Sequence, residues 1–418
     1  MTPDLSFMSL YRRCLPVLLL SSSLVHANIG PDHIPQPWRT EAVVDGRDQN
    51  FNAVRYLHEF SYRHSQRHPA PTESGIRGTA GSVGSDVLYL DFRYRQDFEF
   101  NDGRQAFMLD IQRGEDLDGL YERQIFGFRH QLMEKTEIWL QGDVTADKST
   151  ADVYFSVRRY LGNESWLHAS WILPDTYFNT KSDTGDEFDT EPATAFLQWH
   201  QPLNGADDAL GTTLSLNYSP EAVIVSETSQ LRAESESFSA ALTHDWLLPN
   251  WLLTMDVAGE RTRRAYQLNQ AEGEVKAADF DRYLWELTLQ ATYIPHPNRP
   301  SVGLRYLSVR EQGYFGRNLD DVGDIDRREP MIFGSLRFAI SERAFFTPEI
   351  YASYVNIDQR FESGRNRNRD ENGFIGKLAF PFEYLMSAED RAVLTISPSI
   401  LLHELRFGGG NLQVHWPL

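Results

Sequence analysis

The sequence predicts an all-β protein, a single antiparallel β-barrel that crosses a membrane with about eighteen strands. Three observations predict it: side chains alternate with the two-residue period of a strand, the alternating segments are long enough to cross lipid, and short spacers alternate with long polar ones. The 418 residues are 41% hydrophobic and 12% aromatic, which excludes a disordered chain. The mean hydropathy of −0.45 excludes a bundle of membrane-spanning helices.

The N-terminus has the pattern of an export signal. Arg12 and Arg13 precede a short apolar run, and Val25-His26-Ala27 supplies a cleavage site. We therefore predict a signal peptide over 1–27, a periplasmic N-terminal arm over 28–52 and the barrel over 53–418. An uncleaved anchor helix is the alternative, although the apolar run is short for a span. Cleavage removes the only cysteine of the chain, so no disulfide is expected.

Two segments show the strand pattern most clearly. Apolar side chains take the even positions from Val87 to Phe100 and the odd positions from Tyr283 to Tyr293. Soluble β-sandwiches alternate in the same way, but these runs reach the length of about 9–11 residues that a tilted membrane strand needs. Aromatic rings also lie toward the ends of apolar faces, as at a membrane–water boundary. The candidates for this aromatic girdle are Trp246, Trp251, Trp285, Tyr293 and Trp416.

The spacers predict the topology. Eight are short, near residues 101–105, 133–136, 162–165, 202–211, 248–250, 295–300, 341–343 and 387–390. Nine others alternate with them, near 64–86, 113–123, 147–151, 174–192, 219–237, 260–281, 311–329, 358–373 and 404–409. These connections join eighteen strands, with short periplasmic turns, long extracellular loops and both termini in the periplasm. A count of sixteen strands remains an alternative, because residues 138–145, 153–161 and 212–219 alternate only weakly. No helix is expected after the signal peptide.

In these features the chain resembles bacterial outer-membrane β-barrels of the porin-like type. The last residues add to the resemblance, since Leu412, Val414, Trp416 and Leu418 fall on one face, as in the C-terminal strand by which the barrel-insertion machinery recognises such proteins. The family pattern usually closes on Phe or Trp, whereas this chain closes on Pro417-Leu418. The resemblance implies the outer membrane as location, with membrane lipid and lipopolysaccharide as partners. Eighteen strands are similar to substrate-selective porins and polysaccharide-export barrels.

A barrel of this size encloses a lumen that side chains alone do not fill, so polar residues are expected to line it. Both signs of charge occur there, and opposed charges can orient polar or ionic solutes. The alternative is that these residues only pair with one another on neighbouring strands. The lumen-lining candidates are Asp91, Arg93, Arg95, Asp97, Glu99, Asp110, Arg129, Asp143, Arg158, Glu286, Arg305, Arg337 and Lys377.

Charged and glycine-rich clusters are expected in the outer loops. Acidic residues concentrate at 183–191 and 320–329, and three arginines at 365–369. The carboxylates could bind a divalent cation or bridge to lipid A, and the arginines could bind phosphate, but solvated loops are the better interpretation. Gly408-Gly409-Gly410 indicates a flexible turn. The acidic total, with a formal charge of −19, argues against nucleic acid as a partner.

The sequence gives little sign of catalysis, and we expect neither an enzyme nor a cofactor. His58-Glu59 with His64 lies on a predicted strand and lacks the one-turn histidine spacing of a helical zinc motif. Histidines at 130, 168, 200 and 244 show no convincing local serine partner.

Function is therefore predicted from the barrel. The leading hypothesis is a channel for diffusion or export of hydrophilic solutes or polysaccharide through a charged aqueous lumen. The alternatives are a structural, assembly or adhesin barrel with a plugged pore, an outer-membrane hydrolase, and a soluble periplasmic β-protein.

Overall fold

The computed structural model describes fourteen stretches of the chain: 55–65, 74–83, 87–116, 119–144, 151–162, 164–174, 186–190, 192–203, 210–226, 230–269, 275–315, 321–361, 369–387 and 392–418. The predicted signal peptide and periplasmic arm lie outside the described residues, so both stay predictions.

One helix and eighteen strands make up the described fold. The helix α1 is Arg55–Ser65. The first nine strands are β1 Gly75–Val83, β2 Val87–Phe100, β3 Gln105–Asp116, β4 Gly119–Met133, β5 Thr136–Asp143, β6 Ala151–Gly162, β7 Ser165–Pro174, β8 Asp186–Thr190 with Thr194–Pro202, and β9 Gly211–Ser226. The others are β10 Leu231–Leu247, β11 Trp251–Asn269, β12 Val275–Tyr293, β13 Ser301–Phe315, β14 Asp321–Ser335 with Phe338–Ala339, β15 Ala344–Phe346 with Glu349–Phe361, β16 Arg369–Ala379 with Phe382–Ser387, β17 Ala392–Leu401 and β18 Arg406–Pro417.

The sheet closes on itself. Each strand pairs antiparallel with the next, and β1 pairs antiparallel with β18 over nine residue pairs, from Gly75 opposite Pro417 to Val83 opposite Gly409. A closed sheet has no free edge, so its strands satisfy one another's backbone N–H and C=O groups. The predicted antiparallel barrel and its count of eighteen are confirmed, and the weakly patterned segments that left sixteen open are the strands β5, β6 and β9.

The connections alternate between the two ends of the barrel as predicted. The sheet begins and ends at the same end, where Leu418 N donates to the carbonyl oxygen of Ser74, the residue before β1, at 3.0 Å. We name this the turn end, because it carries the eight connections predicted as short. The nine other connections lie at the opposite end, which we name the loop end.

Several strand boundaries were predicted wrongly, since strands take up most of the predicted loops at 113–123 and 311–329, and two further sets differ more. The first strand is Gly75–Val83, within a predicted loop, instead of ending before residue 64. Strands β10, β11 and β12 have 17, 19 and 19 residues and take up most of the predicted loops at 219–237 and 260–281. The strands continue in polar sequence because cross-strand charge pairs support the ladder beyond the apolar region, as between Arg261 and Asp281 at 3.7 Å.

The glycine run 408–410 was also interpreted wrongly, since it lies inside β18. A side chain at Gly410 would approach the carbonyl oxygen of Ser397 to 3.0 Å. Glycine there allows the backbone of β17 to come close. The run therefore belongs to the wall of the barrel and is not a turn.

The outer and inner faces of the wall have opposite character. In β2, Leu88 and Leu90 are 72% and 47% exposed on the outer face, whereas Arg93 and Arg95 on the inner face are 7% and 4% exposed. Large apolar side chains are exposed in the same way on strands around the whole barrel. This arrangement puts apolar surface outside and charge inside. Among the described helical residues, none forms a helix long and apolar enough to cross a membrane.

Candidate functional site: the lumen and its helix

The lumen contains the helix α1. The prediction that His58, Glu59 and His64 lie on a strand is wrong, because 55–65 is helical. Tyr56, Leu57 and Phe60 are 4%, 0% and 1% exposed, with the spacing of one helical face. The eleven-residue segment was too short and too rich in polar residues for this stripe to stand out in the sequence. No group of three or more possible metal ligands occurs among the described residues.

Apolar packing joins α1 to the inner wall. The Phe60 ring lies 5.0 Å from the ring of Phe333 and 6.1 Å from that of Tyr351, both edge to face. Tyr56 packs in a buried cluster with Leu307 and Val309 of β13. The strands β12 to β16 thus supply a continuous surface for the helix.

Ion pairs continue from α1 into the wall. Arg63 Nη2 donates to Glu286 Oε2 at 3.2 Å, and Arg305 Nη2 donates to the same oxygen at 3.0 Å. Arg305 lies 3.8 Å from Glu329, and Arg327 donates to Glu329 at 2.7 Å. The side chains of the last three are 0% exposed. A buried charge network of this kind is costly to break at any one member.

The arginines of the network also contact the aromatic rings of α1. The guanidinium of Arg305 lies 4.7 Å from the Phe60 ring centre, and that of Arg327 lies 4.6 Å from the Tyr56 ring centre. Cations over aromatic faces add electrostatic attraction to the packing. The helix is therefore held by apolar, ionic and cation–π contacts at once.

Polar contacts also join α1 to β15 and β16. Lys377 Nζ donates to Ser61 Oγ at 2.8 Å, and His64 Nδ1 lies 2.9 Å from Tyr351 Oη. His58 is 2% exposed. Its burial, and next the nearby charge of Lys377, lower the pKa of His58 to about 3, so the ring is neutral at neutral pH.

The predicted lumen-lining residues of β2 to β4 pair with one another. Arg93 Nε donates to Asp110 at 2.9 Å, and both side chains are buried. Arg95 and Asp97 pair at 2.9 Å. The remaining pairs on this side are Arg77 with Asp91, and Arg129 with Glu99 at 2.7 Å.

The other predicted lining residues have mixed partners. Arg158 lies 4.6 Å from the Trp139 ring and 4.0 Å from Glu137. Asp143 is 3% exposed and accepts from the Gln124 N–H at 3.2 Å. Arg337 pairs with Glu383 at 3.4 Å. The pairing that we weighed as the alternative thus occurs widely, and a role in solute contact stays a prediction for each of these residues.

A cavity separates α1 from the wall of β9 to β11. Its volume is about 340 Å³. The wall side carries small side chains, Ser239, Ala241 and Ala258, where other inner positions carry arginine. Three carboxylates, Glu59, Glu260 and Glu286, and one guanidinium, Arg63, border it. The cavity is thus acidic on balance.

Four of the five girdle candidates lie at strand termini of the turn end. Trp246, Trp251 and Trp416 are 41%, 40% and 44% exposed, and the rings of Trp251 and Tyr293 are 5.0 Å apart. Trp285, 46% exposed, lies instead in the middle of β12, with its ring 4.9 Å from that of Tyr306. The girdle role of these residues stays a prediction.

One predicted loop cluster faces the lumen in part. Glu329 was expected in a solvated loop, but it lies in β14 and belongs to the buried network. Arg327 and Glu329 are two residues apart, which places both on the same face of a strand, and this signal could have indicated their pairing. Residues 181–185, 191, 316–320 and 362–368 lie outside the described residues. In the acidic cluster at 183–191 the loop was predicted wrongly for residues 186–190, which form the first part of β8. Most of the basic run at 365–369 lies outside the described residues, so its role stays a prediction.

One histidine does have a serine partner, against expectation. His168 Nε2 lies 2.8 Å from Ser170 Oγ, which lies 2.7 Å from Ser156 Oγ. The sequence separation of two residues places His168 and Ser170 on the same face of β7, and this signal was missed. These three side chains are 0–2% exposed, so the group is buried in the wall.

No protein-family model matches this sequence, and neither does any curated protein. Solved structures with a similar fold include Pseudomonas aeruginosa OccK2 (OpdF) in complex with glucuronate, with 13% identity, coverage of 83% of this chain and 97% of that chain, and a TM-score of 0.45. Pseudomonas aeruginosa OccD3 (OpdP) has 12% identity, coverage of 83% and 91%, and a TM-score of 0.45. OmpTdeltaL8, a loop L8 deletion mutant of OmpT, an outer membrane protein of Vibrio cholerae, has 9% identity, coverage of 82% and 96%, and a TM-score of 0.36.

The strand pairing and the two faces of the wall define the class of protein. A closed antiparallel sheet of eighteen strands with large apolar side chains outside and paired charges inside is a transmembrane β-barrel. The protein therefore spans a membrane with its strands, and lipid lies against its outer face.

Proposed function

We propose that the protein is a channel for small hydrophilic solutes, in which α1 narrows the lumen and solute passes between α1 and the wall of β9 to β11. The cavity of about 340 Å³ between them is the observation that carries the proposal. Its size suits a single amino acid or sugar unit, so a polysaccharide would require α1 to move aside.

The charge of the cavity supports a preference for cations. Glu59, Glu260 and Glu286 outnumber Arg63 along its border, and acidic groups in a pore attract cations and repel anions. Arg63 and Glu286 are paired with each other, so their fields largely cancel, and Glu59 and Glu260 keep the border acidic. We expect small cations to pass faster than anions of the same size.

Reversal potentials in planar bilayers under a KCl gradient test this proposal. We expect discrete conductance steps and a cation-selective reversal potential. The double variant Glu59→Gln with Glu260→Gln is expected to lose much of that selectivity. Glu342→Gln, in an exposed turn, is the matched control and is expected to behave as the wild type. A silent membrane, or selectivity that is unchanged in the double variant, contradicts the proposal.

A second candidate function is a structural or assembly barrel with a plugged pore. The burial of one whole face of α1 against five strands favours it, because a helix so packed can seal the lumen. This candidate predicts no conductance in the wild type and a protein partner that co-purifies after mild detergent extraction.

We further propose that the assembly of the barrel uses the barrel-insertion machinery and that lipopolysaccharide surrounds its outer half.

We also propose that the barrel is not an enzyme. The burial of His168 and Ser170 supports this, since a lipid substrate would need an exposed histidine–serine pair. Lipid-release assays are expected to show no hydrolysis, and release that is lost in Ser170→Ala would contradict this.

A further inference from the structure

Lys377 differs from the other inward cations near α1. Arg305 and Arg327 each pair with a carboxylate within 3.0 Å. Lys377 is partly buried, and among the described residues no carboxylate lies within 4.0 Å of its Nζ. Its two polar contacts are Ser61 Oγ at 2.8 Å and His58 Nδ1 at 3.5 Å, which are both neutral.

One of the three N–H donors of the Lys377 ammonium group has no hydrogen-bond acceptor among the described residues. A lysine ammonium has three N–H donors and no acceptor, and two of the three are taken up by Ser61 and His58. The charge of Glu349 acts on Lys377, but this carboxylate lies more than 4.0 Å from Nζ and accepts from Tyr351 Oη at 2.8 Å. The third N–H of Lys377 is therefore available to a bound species.

A small polar cavity lies beside Lys377, in the seam between α1 and the wall. Its volume is about 20 Å³, which is room for one water molecule or one small ion. Hydroxyl and amide groups of Tyr89, Ser397 and Asn411 line it together with Ser61 and Lys377. None of the ten lining residues carries a carboxylate.

The charges around the seam favour a negative ligand. Lys377, His403 and Arg406 all act on His58 in the direction that lowers its pKa, as positive groups do. Arg406 is paired with Glu404, and His403 lies 4.0 Å from that same carboxylate, so Lys377 is the cation that lacks a carboxylate partner. An unpaired charge in such surroundings gains from a counter-ion.

We propose that this cavity binds one monovalent inorganic anion of the size of chloride, held by the ammonium of Lys377 and by hydroxyl donors of the wall. The anion completes the contact between α1 and β16, because Lys377 also donates to Ser61 of the helix. The site lies apart from the larger acidic cavity proposed as the solute path, and it does not depend on transport.

Bromide identifies the site directly, since its anomalous scattering separates it from water. Crystals of the wild-type protein grown in sodium bromide are expected to show an anomalous peak next to Lys377 Nζ. A water molecule in the cavity, or no peak, overturns the proposal. This experiment needs no variant, so it decides even if substitutions at Lys377 prevent folding.

Thermal unfolding in detergent supplies the second test. In sodium chloride, compared with sodium gluconate whose anion is too large for the cavity, the wild type is expected to show a saturable rise in Tm. The apparent affinity for chloride is expected to fall at least tenfold in Lys377→Met, and to fall also in Ser397→Val. Arg360→Met, at an exposed ion pair, is the control and is expected to keep the wild-type response. An equal response in Lys377→Met and wild type contradicts the proposal.

Discussion

Individual residues show that charge in this lumen is arranged in pairs. Glu286 accepts from both Arg63 and Arg305, and Glu329 lies between Arg305 and Arg327. Buried ions are costly unless they are matched in this way. The sequence predicted Glu286 and Arg305 as inward residues, but it could not reveal that α1 supplies Arg63, because that pair joins positions 223 residues apart.

Substitution of Glu286 tests the network at its centre. Glu286→Gln takes this carboxylate from Arg63 and leaves the fully buried Arg305 with Glu329 at 3.8 Å, so we expect the free energy of unfolding to fall by about 3–5 kcal/mol. Equilibrium unfolding by urea in detergent micelles or vesicles measures it. Asp358→Asn removes the partner of Arg360, which is 76% exposed, and is expected to change stability by at most about 1 kcal/mol. Equal effects of the two substitutions would show that the network is not buried in solution.

His58 makes the docking of α1 depend on pH. The pKa of His58 is about 3 in the folded protein because of burial and the charge of Lys377, against about 6.5 when the helix is released. Above pH 6.5 the ring is neutral in both states and docking has its full stability. As the pH falls from 6.5 toward 3, only the released helix takes up the proton, so docking is lost progressively, by about 2 kcal/mol at pH 5.

Amide hydrogen exchange in α1 at pH 7 and pH 5, corrected for intrinsic rates, measures this loss. His58→Gln keeps a polar neutral side chain and is expected to remove most of the pH dependence. The same pH dependence in the variant and the wild type would contradict the role of His58.

At the scale of elements, the contact between β1 and β18 closes the barrel. A Cβ atom at Gly81 would clash with the carbonyl oxygen of Gly410 and the hydroxyl of Tyr89. A Cβ atom at Gly78 of the same strand would have no neighbouring atom within 4 Å. The two glycines therefore provide a matched pair of positions for testing closure.

Gly81→Ala is expected to lower the free energy of unfolding by about 1–3 kcal/mol, because the strands must shift to admit the methyl group. Gly78→Ala is expected to change it little. The temperature at which the folded form loses its resistance to sodium dodecyl sulfate on gels compares the two. A loss of stability in Gly78→Ala as large as in Gly81→Ala would contradict the described register.

The sequence predicted the strands better than their limits. In β2 and β12 apolar and polar side chains alternate, and this alternation predicted both faces of the wall, since one face meets lipid and the other meets the lumen. The ends of β10 to β12 were missed because, beyond the lipid, both faces can be polar and the period loses its contrast. The helix α1 was missed because its stripe of Tyr56, Leu57 and Phe60 is matched to a wall whose apolar inner residues come from distant strands.

At the scale of the whole molecule, the barrel combines an apolar exterior with a bore that its own helix partly fills. The alternation of short and long spacers predicted eighteen strands and predicted that the sheet begins and ends at the turn end, because each hairpin reverses the chain. The position of α1 inside the barrel could not be predicted from the spacers. Their lengths do not relate a segment before the first strand to the inner faces of β12 to β16.

The central claim is that this barrel encloses a hydrated path narrowed by α1, and single-channel recording of the wild type beside a variant that lacks residues 55–65 tests it most directly. The account predicts discrete steps from the wild type and a clearly larger unit conductance from the deletion variant, both from protein that migrates as a folded barrel on gels. Equal conductance of the two, or silence of both, would contradict it.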